Sequence, residues 1–250
     1  RTLGAEHPDT LKSRNHLATA LRMRGKLAEE EVERRAVLAL MERVLGTEHP
    51  DTLDCCHSFA VGLGTQGKKA EAKAEFRAIL ALWERVLGAE HPDTLAFRDS
   101  YAALLMLLGS NAEAEAEHRV ILALRERVLG ADHPDTISSR SSLAFMLSVQ
   151  GKGAEEAAER RAVIALEERV LGAEHSKTLR SRDNLATLLL RQGKRAEEEV
   201  ERRAVLGIRE RVLGAEHPDT LGSRYGLAVS LRDLGRRKEA LVEAEAAYDG

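Results

Sequence analysis

The sequence predicts an all-α solenoid of six helix-turn-helix repeats, and three observations carry that prediction. A phrase returns at a fixed interval: HPD begins at His7, His49, His91, His133 and His217, each step 42 residues except the last, which is twice 42. The missing copy falls at His175, where the chain reads HSKTL. A fixed period between about 20 and 50 residues marks a stacked array of supersecondary units. Composition agrees, because aromatic residues are 3% of the 250-residue chain and charged residues 32%, against 43% hydrophobic, which suits helices of Ala, Leu, Val, Glu and Arg. Helix start and stop residues also sit at fixed places inside each period. The repeats run 7–48, 49–90, 91–132, 133–174, 175–216 and 217–250, with 1–6 as the end of a preceding repeat, so the chain reads as one array cut from a longer protein.

In the first repeat, Pro8 has a fixed φ and no N–H, which suits the first position of a helix. Asp9 adds negative charge where the helix dipole favours it. Leu11, Leu17, Ala18 and Leu21 follow at spacings close to one helical face, and Gly25 stops the helix. A second helix is expected over Leu27 to Leu45, ended by Gly46, and Pro50 begins the cycle again. The later repeats copy this order. One hairpin cannot bury both sides of its helices, but a stack can.

Two slots do not vary along the chain. One is always Ala (Ala18, Ala60, Ala102, Ala144, Ala186 and Ala228), where only a small side chain lets helices approach closely. Three residues later comes Leu: Leu21, Leu63, Leu105, Leu147, Leu189 and Leu231. Both are assigned to the core. Three other slots switch together. They hold Arg14, Glu30 and Arg34 in the first repeat, Arg140, Glu156 and Arg160 in the fourth, Arg182, Glu198 and Arg202 in the fifth, but Cys56, Ala72 and Phe76 in the second. Joint switching predicts contact, and so Arg–Glu–Arg clusters between the helices of repeats one, four and five, since partly buried ions must be paired. The fifth repeat departs at HSKTL, where Ser176 and Lys177 replace Pro and Asp. The expectation is a looser turn at 173–179, stabilised by Ser176→Pro with Lys177→Asp.

HPDTL, Leu17-Ala18, Gly25-Lys26 and LALMERVLG at Leu38 to Gly46 together resemble the tetratricopeptide repeat in its 42-residue form, similar to that of kinesin light chains and many bacterial repeat proteins. The resemblance covers the whole chain. It implies a right-handed superhelix whose first helices line a concave groove, and binding of a protein or peptide ligand there. On that implication the groove residues are Asn15, Arg22, His57, Asp99, Ala103, Met106, Leu107, Phe145, Val149, Asp183, Arg191, Tyr225 and Arg232. Of the Asn-Asn pair that kinesin light chain repeats carry on this face, the chain has Asn15 and Asn184, in different slots. Apolar Ala103, Met106, Leu107, Phe145 and Val149 stand between basic ends, which predicts a peptide with apolar anchors across repeats three and four and acidic flanks.

The remaining motifs weigh against other chemistry. Equivalent residues of stacked hairpins lie about 8–10 Å apart, whereas zinc needs nitrogens about 2 Å from the ion, so the repeated histidines read as caps rather than metal ligands. No nucleophile elbow, phosphate-cradling loop or HExxH occurs. In VGLGTQGK at Val61 to Lys68, Gly67-Lys68 fills the ordinary hairpin turn. No enzyme, cofactor or metal is therefore expected. A net charge of -3 argues against nucleic acid, and the apolar run Tyr101 to Gly109 is too short to span a membrane. Cys55 and Cys56 are adjacent and read as reduced thiols of a cytoplasmic protein. The expected function is a non-catalytic interaction scaffold; the alternative is a regulatory or sensor segment of a larger signalling protein such as an NTPase.

Overall fold

A computed structural model describes residues 3–248, so the expected remnant at 1–6 and the end of the last repeat lie partly outside the described residues. Twelve helices are described: α1 (Pro8–Met23), α2 (Leu27–Val44), α3 (Pro50–Thr65), α4 (Lys69–Val86), α5 (Pro92–Leu107), α6 (Asn111–Leu129), α7 (Pro134–Val149), α8 (Gly153–Leu171), α9 (Ser176–Arg191), α10 (Arg195–Leu213), α11 (Pro218–Asp233) and α12 (Arg237–Tyr248). No strand occurs among the described residues. The odd-numbered helices are the first helices of the six repeats.

Each first helix begins the same way. The repeated histidine is its N-cap, with Nδ1 accepting a backbone N–H two residues on: Asp9, Asp51, Asp93, Asp135, Lys177 and Asp219 donate at 3.1–3.2 Å. An orphan donor of the first turn is thereby satisfied. The turn inside each hairpin needs a left-handed residue, which Gly25 (φ 74) supplies in the first. There the Lys26 N–H returns to the Leu21 carbonyl at 3.0 Å and closes the helix end.

The chain forms two compact units, Arg1–Leu124 and Arg125–Gly250, with α6 contributing to both. In the first unit α1 packs on α2 and α3, and α3 on α4 and α5. Leu11, Val37, Met41 and Cys55 form one core cluster. An aromatic cluster forms another, with Phe76 stacked 5.2 Å from Phe97 and 5.5 Å from Tyr101. In the second unit consecutive helices from α7 to α12 pack in sequence. Its core includes Ala157, Ile164, Leu185, Leu188 and Leu189, and then Leu206, Leu227, Leu231 and Ala240.

The invariant alanines are all buried, and so are the invariant leucines except half-buried Leu21. Leu17, read on the same helical face, is 52% exposed. Its counterparts face the hairpin before them, as Leu227 meets Leu206 and Tyr101 meets Phe76. No hairpin is described ahead of the first.

The expected Arg–Glu–Arg clusters do not form. Glu30 and Arg34 do pair, at 2.6 Å and almost fully buried, and Arg160–Glu156 (2.8 Å) and Arg202–Glu198 repeat the contact. Arg14, however, reaches Glu33 at 2.6 Å, not Glu30. Arg140 and Arg182 likewise reach Glu159 and Glu201, at 2.7 and 2.6 Å. The physical reason is helical phase. Residues i and i+4 of one helix share a face, so Glu30 is already engaged by Arg34, and the arginine opposite meets the next acid on its own side. A second acid completes the arrangement. Arg98, Arg140, Arg182 and Arg224 also pair with Glu84, Glu126, Glu168 and Glu210 of the preceding repeat's second helix. One arginine thus ties its own hairpin to its neighbour.

The fifth repeat also differs from expectation. Glu167 is fully buried, and Lys177 Nζ lies 3.6 Å from its Oε1. The lysine at the altered helix start thus neutralises a buried carboxylate that has Met41 and Trp83 as counterparts in repeats one and two. Replacing it with Asp would destabilise the array, because an unpaired buried charge costs more than a first-turn acid returns.

Candidate interaction surfaces

Each first helix leaves part of its surface outside the core, and several side chains there are large and apolar. Leu107 is 66% exposed, Phe145 52%, Val149 48% and Tyr225 66%. Ala103 is exposed and Met106 half-buried. Other expected groove residues are engaged internally. Asn15 Oδ1 accepts from Arg34, Asp183 accepts from Arg209 at 2.7 Å, and Arg191 reaches Glu156 at 3.1 Å and Ser148 at 3.2 Å. Arg232 contacts neighbouring Asp233. Asp99 lies near buried His118, where its charge partly offsets the burial that lowers the His118 pKa.

In the first unit a cavity of about 240 Å³ opens between α3 and α5, lined by Asp54, His57, Trp83, Asp93 and Phe97 among others. His57 stands edge-on to Phe76 at 5.3 Å and to Phe97 at 5.8 Å. Burial holds its pKa below the usual imidazole value; Asp54 works against that shift and Arg22 adds to it. In the second unit a cavity of about 260 Å³ is lined by Ser141, Phe145, Arg160, Val163 and Asn184. Another, of about 380 Å³, carries Tyr225, Val229, Arg232 and Leu241 at the last hairpin. Each has a floor of core side chains and a rim of polar ones, the make-up of a surface that takes a side chain from outside.

Sequence reasoning missed Asp54, Trp83 and Phe97. The sign available for Asp54 was a change of charge within one slot, where it replaces Lys12 of the first repeat.

Among the described residues no group of three or more His, Cys, Asp or Glu could hold a metal ion, and no helix is long and apolar enough to cross a membrane. Cys55 and Cys56 are free; burial pushes their thiols up, to about 11 and about 12.

The family model described as tetratricopeptide repeat matches residues 10–51, 52–93, 94–135 and 178–219. Among solved structures, the kinesin light chain TPR-like repeats of Podosopora anserina are 27% identical with a TM-score of 0.65, covering 80% of this chain and 95% of theirs. BtubC (BKLC) from P. vanneervenii is 16% identical with a TM-score of 0.60, over 96% and 90% of the two chains. A tetratricopeptide repeat protein from Parabacteroides merdae is 13% identical with a TM-score of 0.54, over 98% and 80%. No curated protein matches the chain.

Proposed function

The chain belongs to the tetratricopeptide repeat family, and from that premise we propose that it is a non-catalytic scaffold that binds a protein or peptide on the exposed faces of its first helices. The observation that carries this reading is the exposure of large apolar side chains there. Phe145 rims a cavity with Ser141 and Asn184 instead of entering the core, although Leu143, Ala144, Met146 and Leu147 around it are buried. An exposed aromatic beside a polar rim is the composition of a binding hot spot. The residues of the reading are Arg22, His57, Ala103, Met106 and Leu107 in the first unit, and Phe145, Val149, Tyr225 and Arg232 in the second.

The test is selection of binders from a displayed peptide library against the whole chain, followed by Phe145→Asp and Tyr225→Asp. Selected peptides should lose affinity at least tenfold against one of these variants while helicity by circular dichroism is unchanged. Failure to select any peptide or protein partner, or undiminished binding to both variants, would move the function elsewhere.

A further inference from the structure

Repeats one and two are joined by an ion pair: Lys12 Nζ of α1 meets Asp51 Oδ2 of α3 at 3.1 Å. The same two positions one period later are Asp54 and Asp93. The lysine has become an acid, and both carboxylates line the cavity between α3 and α5. Where the first junction places a lysine, this one places a second acid.

The rest of the cavity matches a cation. Trp83 and Phe97, nearly parallel at 14° with centroids 6.0 Å apart, form an aromatic wall. His57 lines the cavity as well, and burial lowers its pKa, which favours the uncharged ring. His91 offers Asp93 little, because its Nδ1 already accepts the Asp93 N–H at 3.2 Å. The Arg22 charge is felt by His57, but Arg22 does not line the cavity. Two carboxylates beside an apolar wall attract a guanidinium or ammonium group through charge, while the wall packs against its aliphatic stem. A cavity of about 240 Å³ admits one long side chain.

The geometry points to a basic-side-chain pocket between α3 and α5, which takes an arginine or lysine of the bound peptide with Asp54 and Asp93 as counter-ions and Trp83 and Phe97 as the wall. This rests on the scaffold reading above and supplies its partner class, a peptide with a basic anchor.

Trp83 is the only tryptophan of the chain, so its fluorescence reports on this pocket directly. The probes are four pools of dodecapeptides, degenerate except for a central Arg, Lys, Gln or Glu. The Arg and Lys pools should perturb Trp83 emission saturably and bind about tenfold more tightly than the Gln pool, with the Glu pool weakest. Asp54→Lys, which restores the residue of the first repeat, should fill the pocket from within and abolish the basic preference. Asp54→Asn, a smaller change, should reduce it part of the way. Equal binding of the Gln pool, or a basic preference that survives Asp54→Lys, would overturn the pocket. If those results came with peptides that still lose affinity on Phe145→Asp, only the pocket would fall. If no pool bound and library selection also failed, the scaffold reading would fall with it.

Discussion

Cys56 interrupts a ladder that repeats three to six complete. In repeats three to six the equivalent arginine bridges a glutamate of its own second helix and one of the preceding repeat. In repeat two those acids are Glu75 and Glu42, and both raise the Cys56 thiol pKa in addition to burial and the neighbouring Cys55. Cys56→Arg should supply the missing cation. The reference bridges are half-buried, with side chains of Arg98 and Glu117 exposed by 13% and 21%. A pair at that depth contributes toward the upper end of the exposed range, so two together give about 1–2 kcal/mol. The comparison is with Cys56→Ala, which removes the thiol without adding charge. Urea unfolding at low salt should show the arginine variant more stable than the alanine variant by that amount, with the same m-value. In 1 M salt, where the screening length is about 3 Å, the gain should shrink by roughly half. It should also shrink when Glu42→Gln and Glu75→Gln are introduced with it. No gain over alanine, or a gain indifferent to both glutamines, would refute the ladder.

Other outcomes follow from the same contacts. Lys177→Asp should destabilise the second unit by about 3 kcal/mol, since Glu167 then has no counter-charge, and Glu167→Met should rescue most of the loss in a urea titration. Burial lowers the pKa values of His57 and His118. The unfolded chain therefore takes up their protons first, and stability present above the ordinary imidazole value of about 6.5 should be lost as pH falls through the folded values. A Tm series from pH 7.5 to 5 should show that fall, reduced in His57→Gln with His118→Gln. The raised thiol pKa values, about 11 and about 12, predict that iodoacetamide alkylates native Cys55 and Cys56 far more slowly at pH 8 than in urea.

The array was legible in the sequence because its signals are local and repeated. Pro8 after a capping histidine, Gly25 at the turn and Ala18 at the close approach fix each hairpin without distant contacts, and the expected second helix from Leu27 ends one residue from the observed Val44. The side-chain pairing was less legible. Joint switching correctly singled out Glu30 and Arg34 as partners, but assigned Arg14 to them, because sequence spacing does not reveal which way an arginine leans across a hairpin. Glu33 and its counterparts are acids in all six repeats, and that constancy was the available sign. The Lys177–Glu167 pair was hidden for a different reason. Each residue is an oddity in its own slot, and only the fold brings the two together. The interaction surface was readable only as a face, since exposure of Phe145 and Tyr225 follows from helical phase, whereas Asn15 and Asp183 on the same face are engaged by arginines from elsewhere.

We propose that partners bind the first helices. The most direct measurement is hydrogen–deuterium exchange of the whole chain with and without a peptide selected on it. Slowed exchange should concentrate in first helices, such as the stretches around His57 in α3, Phe145 in α7 or Tyr225 in α11, while the second helices change little. Protection confined to α2, α4, α8 or α10, with the first helices unaffected, would contradict the account.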